Sequence, residues 1–207
     1  MTTTPILIKP EWTQSIPKPC NPWVGTSLEK LYWHGSKKRG AFYEEYIARP
    51  ILEDIGFKVT NAETSTAPYD LKIENPEDST NISIQGVNKD KKYKKIEVKV
   101  AMSGTDHKKG CVDNLKCIIN HVAKGKDFDI LLMIFMVLDN GEAKAHVRWC
   151  SKLDIVNHIE SSDSLFKKQQ GGKKGDNDDW ICSSKTSIQK LLKNPLFKTQ
   201  DTLKSVL

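Results

Sequence analysis

No stretch of this chain is apolar enough to cross a bilayer as a helix. The longest run, Ile130 to Leu138, falls far short of the roughly 20 residues such a helix needs, and is expected instead as a central strand. Cysteine is scarce: five residues, an odd number at irregular spacing, which offers no disulfide framework. Met1 to Ile8 lacks the basic start and apolar run of a secretory leader, so a reduced, cytoplasmic setting is expected. Neither GxGxxG nor a Walker A pattern is present, which argues against nucleotide-driven chemistry. No Ser or Cys nucleophile motif appears, His34, His146 and His158 stand alone, and there is no internal repeat.

What the chain does have is charge. Of 207 residues, 28% are charged and 38% hydrophobic, the balance of an ordinary globular protein long enough to bury one real core. The excess is basic, +6 with a pI near 8.9, which favours a polyanionic partner.

Residues 1–27 hold Pro5, Pro10, Pro17, Pro19 and Pro22 together with Trp12 and Trp23. Residues 1–36 are therefore expected as an extended arm packed by its aromatics, ahead of a single domain over 37–207. Lys37-Lys38-Arg39-Gly40 leads into a helical pattern from Ala41 to Ile55, stopped by Gly56. Pro50 predicts a kink or break near Arg49, because an interior proline costs about 3 kcal/mol.

Phe57 to Thr60 and Ala67 to Ile73 are predicted strands, the second with Tyr69, Leu71 and Ile73 on one face and Asp70 and Lys72 on the other. Glu74 to Lys95 is polar, a loop or hairpin with room for a short strand at Ile82 and Ile84. Lys95 to Ala101 alternates with a period of two, so Ile96, Val98 and Val100 face a core while Glu97, Lys99 and Ala101 share the other face.

A helix is expected around Cys111 to Val122, then the buried strand Phe128 to Leu138. Asp139-Asn140-Gly141 is a strong hairpin turn into a strand from Ala143 to Trp149. Lys152 to Ile159 reads as a helix with Leu153, Val156 and Ile159 as its apolar stripe, Trp180-Ile181-Cys182 as an edge strand, and Ser187 to Leu192 as a last helix. This order predicts a mixed α/β domain.

Acid-x-Lys triplets begin at Asp70, Asp90, Glu97, Asp106 and Glu142, and only context separates them. Asp90 lies in a hydrophilic basic run, Asp106 in a turn and Glu142 just after a hairpin turn. Glu97-Val98-Lys99 is flanked by core strand on both sides. Side chains two residues apart on a strand start about 6.5–7 Å apart, and the two heads can converge on one site. Asp70, on another strand of the same sheet, is expected beside Glu97. Two carboxylates about 4–5 Å apart repel unless a cation lies between them.

Mg²⁺ suits such a pair, since it takes one or two carboxylates, several waters and phosphate oxygens. It would polarise a phosphodiester and acidify a water, which Lys99 can orient. The first helix offers a third acid: on a helical wheel Glu44 falls among Ile47, Ile51 and Ile55, while Glu45 flanks that face beside Ala48 and Leu52.

The set resembles the PD-(D/E)xK nuclease superfamily and, within it, type II restriction endonucleases. The likeness runs through Gly40-x3-Glu44-Glu45 on a helix ended by Gly56, then Pro68-Tyr69-Asp70, then Glu97-Val98-Lys99. His121 to Met133, with its Asp-aromatic-Asp, and Val147-Arg148-Trp149 to Leu153 are similar to the elements that follow the motif in such enzymes. Gly171-Gly172-Lys173-Lys174-Gly175 resembles a late glycine-rich loop. The likeness covers roughly residues 37–185, and only the Asp, Glu and Lys triplet is specific. The chain departs from the pattern by placing Tyr69 between Pro68 and Asp70, and by the 26 residues between Asp70 and Glu97.

The resemblance implies a restriction-endonuclease-like core (αβββαβ), a central mixed sheet flanked by helices. It implies hydrolysis of double-stranded DNA at a short specific sequence, dependent on Mg²⁺ with Mn²⁺ able to substitute, leaving 5′-phosphate and 3′-hydroxyl ends. A homodimer would match two-fold sites, and a cognate DNA methyltransferase would belong to the same system. By this likeness Asp70, Glu97 and the carbonyl of Val98 hold the metal, Lys99 acts on the water and a helix glutamate assists. The 11-residue step from Glu45 to Gly56 is the spacing in many relatives and favours Glu45, whereas the wheel favours Glu44. Glu45 is the expected residue, with Glu44 as its alternate. Lys37, Lys38, Arg39, Lys173 and Lys174 are expected at DNA phosphates.

Two other functional readings stay open: a structure-selective repair or recombination nuclease of the same superfamily, and a non-enzymatic basic DNA-binding domain whose acid and lysine cluster is structural. Lys89 to Lys95 reads equally as a solvated loop or a phosphate contact. His107, Cys111, Cys117 and His121 put each His and Cys pair four residues apart, on one face of the expected helix. That arrangement is open to zinc, although no standard structural spacing is present.

Overall fold

Every side chain from Ile130 to Val137 is buried, as it must be in a strand whose sheet is covered on both faces. Around this strand is built a computed structural model, which describes residues 23–26, 29–32, 42–74, 93–102, 105–106, 110–111, 119–139, 142–168, 179–182 and 188–203. Its strands are β1 (Lys58–Asn61), β2 (Leu71–Glu74), β3 (Lys94–Met102), β4 (Thr105–Asp106), β5 (Gly110–Cys111) and β6 (Ile119–Ala123). They continue as β7 (Ile130–Asp139), β8 (Glu142–Ser151), β9 (Lys167–Lys168), β10 (Asp179–Cys182) and β11 (Lys198–Thr199).

Six strands form a mixed sheet in the order β1-β2-β3-β7-β8-β11. β3 and β7 run parallel, and the other neighbours are antiparallel. β6-β10-β9 make a smaller antiparallel sheet and β4-β5 a two-stranded ribbon. Helices lie at Glu29–Tyr32, Arg49–Ile55, Lys152–Glu160, Ile188–Lys193 and Gln200–Leu203. The class is α/β, and among the described residues no helix is long and apolar enough to cross a membrane.

Alternation along β3 sorts its side chains onto two cores. Ile96, Val98 and Val100 pack with Leu71, Ile73, Ile130, Leu132, Trp149 and, from the helical segment before β1, Ala48 and Leu52. Ala101 packs with Leu131, Met133, Phe135, Cys150, Ile155 and Ile159 on the opposite face. Each fully buried Leu, Ile or Phe contributes about 1.5–3 kcal/mol. Trp149 keeps its one polar atom satisfied, Nε1 donating to the Thr199 carbonyl at 2.9 Å and to Thr202 Oγ1 at 3.1 Å.

The helix that precedes β1 is interrupted where Pro50 predicts it, but by a change of winding. Glu44–Ala48 is a π-helical turn, with the Arg49 N–H bonded to the Glu44 carbonyl, and α-helix resumes over Arg49–Ile55. Pro50 has no N–H for the Tyr46 carbonyl and its ring would collide with that carbonyl in a regular α-helix. Widening the preceding turn removes the collision. Gly56, at φ 107°, ends the segment in the left-handed region that suits glycine.

The helix expected over Cys111 to Val122 is absent from its described parts: Gly110–Cys111 and Ile119–Ala123 are strands, and 112–118 lie outside the described residues. Ile119 and Val122 are both buried although three residues apart. The cause is a bulge. Between the pairs Trp180↔Val122 and Cys182↔Ile119, β6 sets two residues against the single Ile181 of β10, which shifts the alternation by one and imitates a helical period. The second helix of the expected αβββαβ order is therefore missing among the described residues. So are the shared helical faces on which the zinc reading depended, with His107 and Cys117 outside the described residues.

Other expectations shift by less. β10 lies in the middle of its sheet, between β6 and β9, and not at an edge. The Lys152–Glu160 helix buries Ile155 and Ile159 while Leu153 is 44% exposed, because Ser151 caps it, Oγ accepting from the Asp154 N–H at 3.1 Å, and so sets its phase. Tyr69 packs in the second core, across the sheet from Leu71 and Ile73, since the chain still bends at 63–70 before β2 begins. Within the expected extended arm, 23–26 is a turn and Glu29–Tyr32 a helix, with Trp23 buried in the first core. Trp12, Ile82, Ile84, Lys37, Lys38, Arg39, Lys173 and Lys174 lie outside the described residues.

Candidate active site

β2 pairs with β3 through Leu71↔Ile96, Lys72↔Lys95 and Ile73↔Lys94. One step further the ladder ends, and Asp70 stands level with Glu97. The Asp70 N–H still donates to the Ile96 carbonyl at 2.9 Å. Its carboxylate then takes over the next bond of the ladder, Oδ2 accepting from the Val98 N–H at 2.7 Å. Asp70 is thus fastened to the backbone of the Glu97-Val98-Lys99 triplet itself.

Glu97 is 1% exposed, and its Oε1 accepts from Lys99 Nζ and from Lys126 Nζ, each at 2.6 Å. Its Oε2 is buried with no hydrogen-bond partner. Burial without a partner is costly for a carboxylate oxygen. The convergence of Glu97 and Lys99 follows from strand geometry. Lys126 does not follow from it: it sits in the turn between β6 and β7, 29 residues from Glu97.

That turn is held in place. The Lys126 N–H donates to the Ala123 carbonyl at 3.2 Å and Lys152 Nζ donates to the Lys126 carbonyl. Asp129 then fixes the start of β7 on β3, its Oδ2 accepting from the Lys95 N–H at 2.8 Å and its N–H donating to the Lys95 carbonyl at 2.9 Å. In a basic chain Lys126 looks like any other lysine. Only the parallel register, which sets Glu97 against Leu131, brings it to the carboxylate.

The helix glutamate that shares this field is Glu44. Burial, reinforced by the negative charge of Asp70 and then of Glu97 and opposed by Lys99, raises its carboxyl from the usual 4.5 to about 7. Asp70 is likewise pushed above its usual range, by burial first and by Glu97 second. Glu45, the residue expected from the glycine spacing, is 46% exposed and pairs with Arg49 at 3.3 Å. The π-helical turn accounts for this placement. Bonding from i to i+5 takes up one residue more than α-helical bonding, so the position 11 residues before Gly56 in an unbroken α-helix becomes the one 12 residues before it, Glu44.

Among the described residues no three His, Cys, Asp or Glu side chains are gathered as a ready metal cage. The residues present nevertheless fit a hard divalent ion held by two carboxylates and completed by water and substrate oxygens. A buried carboxylate oxygen on Glu97 lacks any partner, and burial first and neighbouring carboxylates second disfavour the charged forms of Asp70 and Glu44, a cost that a bound cation would offset. Val98, whose carbonyl belongs to the same triplet, lies between Glu97 and Lys99 on β3.

The basic run that leads into β3 plays a structural part where it is described, at the start of that strand: Lys94 is buried, and Lys95 pairs with Asp127 and lies 5.1 Å from the Tyr69 ring centroid. Lys89 to Lys92 lie outside the described residues. Comparison with protein-family models, curated proteins and solved structures finds no match to this chain.

Proposed function

We propose that this chain is a Mg²⁺-dependent endonuclease of the PD-(D/E)xK superfamily that hydrolyses double-stranded DNA at a short specific sequence, as type II restriction enzymes do. The observation that carries the reading is the joining of three separate sequence signals at one place: the heads of Glu97 and Lys99 meet at 2.6 Å, and Asp70 grips the peptide N–H between them at 2.7 Å. The net charge of +6 suits a polyanionic substrate.

In this reading Asp70, Glu97 and the Val98 carbonyl hold the metal, which supplies Lewis acidity toward a phosphoryl oxygen and a lowered pKa for a bound water. Lys99, anchored on Glu97 Oε1, directs its ammonium at the attacking water and offsets charge developing on the phosphate. Glu44, raised to about 7, is half ionised near neutral pH and can accept a proton from that water's neighbours. The reading extends to a homodimer on two-fold DNA sites and to a methyltransferase that protects the same sites.

Incubation with plasmid and phage DNA and Mg²⁺, with and without chelator, tests it. Discrete fragments that vanish with chelator are expected. A smear or junction-specific cutting would favour a structure-selective nuclease, and DNA retardation without cleavage would leave a binding domain only. Lys99→Ala and Asp70→Asn should each slow cleavage at least about a hundredfold; wild-type rates in both would remove the site.

A further inference from the structure

Glu97 holds two ammonium groups on one oxygen and nothing on the other. Lys99 Nζ and Lys126 Nζ both lie 2.6 Å from Oε1, while Oε2 is buried and unpartnered. Two like charges crowd one atom, and Asp70 lies close enough to interact favourably with both of them. The two lysines differ in what ties them down. Lys99 is 17% exposed and rooted in β3, two residues from Glu97 on a strand paired on both sides. Lys126 is 34% exposed and reaches in from a turn whose backbone is bonded to Ala123 and Lys152. Its side chain can leave without moving the chain.

We propose that Lys126 is a positioning residue that stands in for the metal: it neutralises Glu97 when no divalent ion is present and must release Glu97 for the ion to bind. This rests on the reading of Asp70 and Glu97 as the metal-holding pair. A divalent ion brings a double positive charge to the cluster, and the more exposed, separately tethered ammonium is the one expelled. Pinned by its turn, Lys126 stays within one side-chain length of the cluster, available to a phosphodiester approaching the ion. Metal loading and the freeing of a substrate-facing cation become one event.

Calorimetric titration of Mg²⁺ and Mn²⁺ into the full chain tests this without recourse to cleavage. Lys126→Met and Lys126→Gln remove the competing charge and should bind either ion roughly tenfold more tightly than wild type, the worth of one charge-assisted bond no longer broken on loading. The gain should shrink at high salt. Lys126→Arg keeps the charge and should keep the wild-type affinity. The Gln variant gives the same reading should the Met variant fail to fold.

If both uncharged variants bind the ion no more tightly than wild type, or more weakly, the stand-in role is overturned while the metal-holding pair remains. If wild type binds neither ion, or Asp70→Asn binds as well as wild type, the metal reading fails and this inference fails with it.

Discussion

Replacing Glu44 by Gln should flatten the pH dependence of stability between about pH 4.5 and 7. In the folded chain, burial and the charges of Asp70 and Glu97 raise this carboxyl from 4.5 to about 7, whereas the unfolded chain releases the proton near the ordinary value. Across that window the folded state binds more protons than the unfolded state, so stability falls as pH rises. The contribution is complete below pH 4.5 and gone above about pH 7.

The displacement of about 2.5 units (7 − 4.5) corresponds to roughly 3.4 kcal/mol at 1.36 kcal/mol per unit. Glu44 is only half-buried, and solvent screening reduces this to about 1–2 kcal/mol. Urea unfolding at constant ionic strength from pH 4 to 8.5, with chelator to exclude metal, gives the comparison directly. Wild type should lose about 1–2 kcal/mol relative to Glu44→Gln over the window. Parallel stability curves for the two proteins would refute the placing of Glu44 in the acidic cluster.

Glu45→Gln tests the other side of the same helix: Glu45 is 46% exposed and pairs with Arg49, so the change should alter stability by less than about 0.5 kcal/mol and leave DNA cleavage within about threefold of wild type. A loss as deep as that of Asp70→Asn would return the assisting role to Glu45. Asp129→Ala strips the Lys95 N–H of its acceptor at the junction of β3 and β7 and should cost about 1–3 kcal/mol in urea unfolding; no change would mean that the strand ladder alone holds the junction.

The alternation of Ile96 to Ala101 is a local signal, and it correctly separates two cores and sets Glu97 beside Lys99 on one face. The neighbouring strand was legible from Leu71 and Ile73, but Tyr69 was not: it belongs to the bend before β2, where a period of two no longer governs. The choice between Glu44 and Glu45 turned on a count of residues that assumes α-helix throughout, and Pro50 was the sign that the assumption would fail one turn earlier. The helix expected around Cys111 to Val122 failed where it is described, in β6, because a bulged strand buries Ile119 and Val122 three apart as a helix would. Lys126 was out of reach, because what brings it to Glu97 is the register of a parallel pair, and no local pattern encodes that.

The seam between β3 and β7 also dictates an order of events during folding. Every antiparallel contact of β2 with β3 or of β7 with β8 links neighbours in sequence, whereas β3 must wait for the chain from Thr105 to Asp129 to return before β7 can lie parallel to it. Closing that loop costs entropy before any ladder bond rewards it, which makes it slow. Lys126 rides on the far side of the loop, one turn before β7. Glu97 therefore gains its second ammonium only when the seam between β3 and β7 closes, although β8–β11 and β6–β10 join residues still further apart in the chain. A probe of the Lys126–Glu97 ion pair would be a clock for that seam.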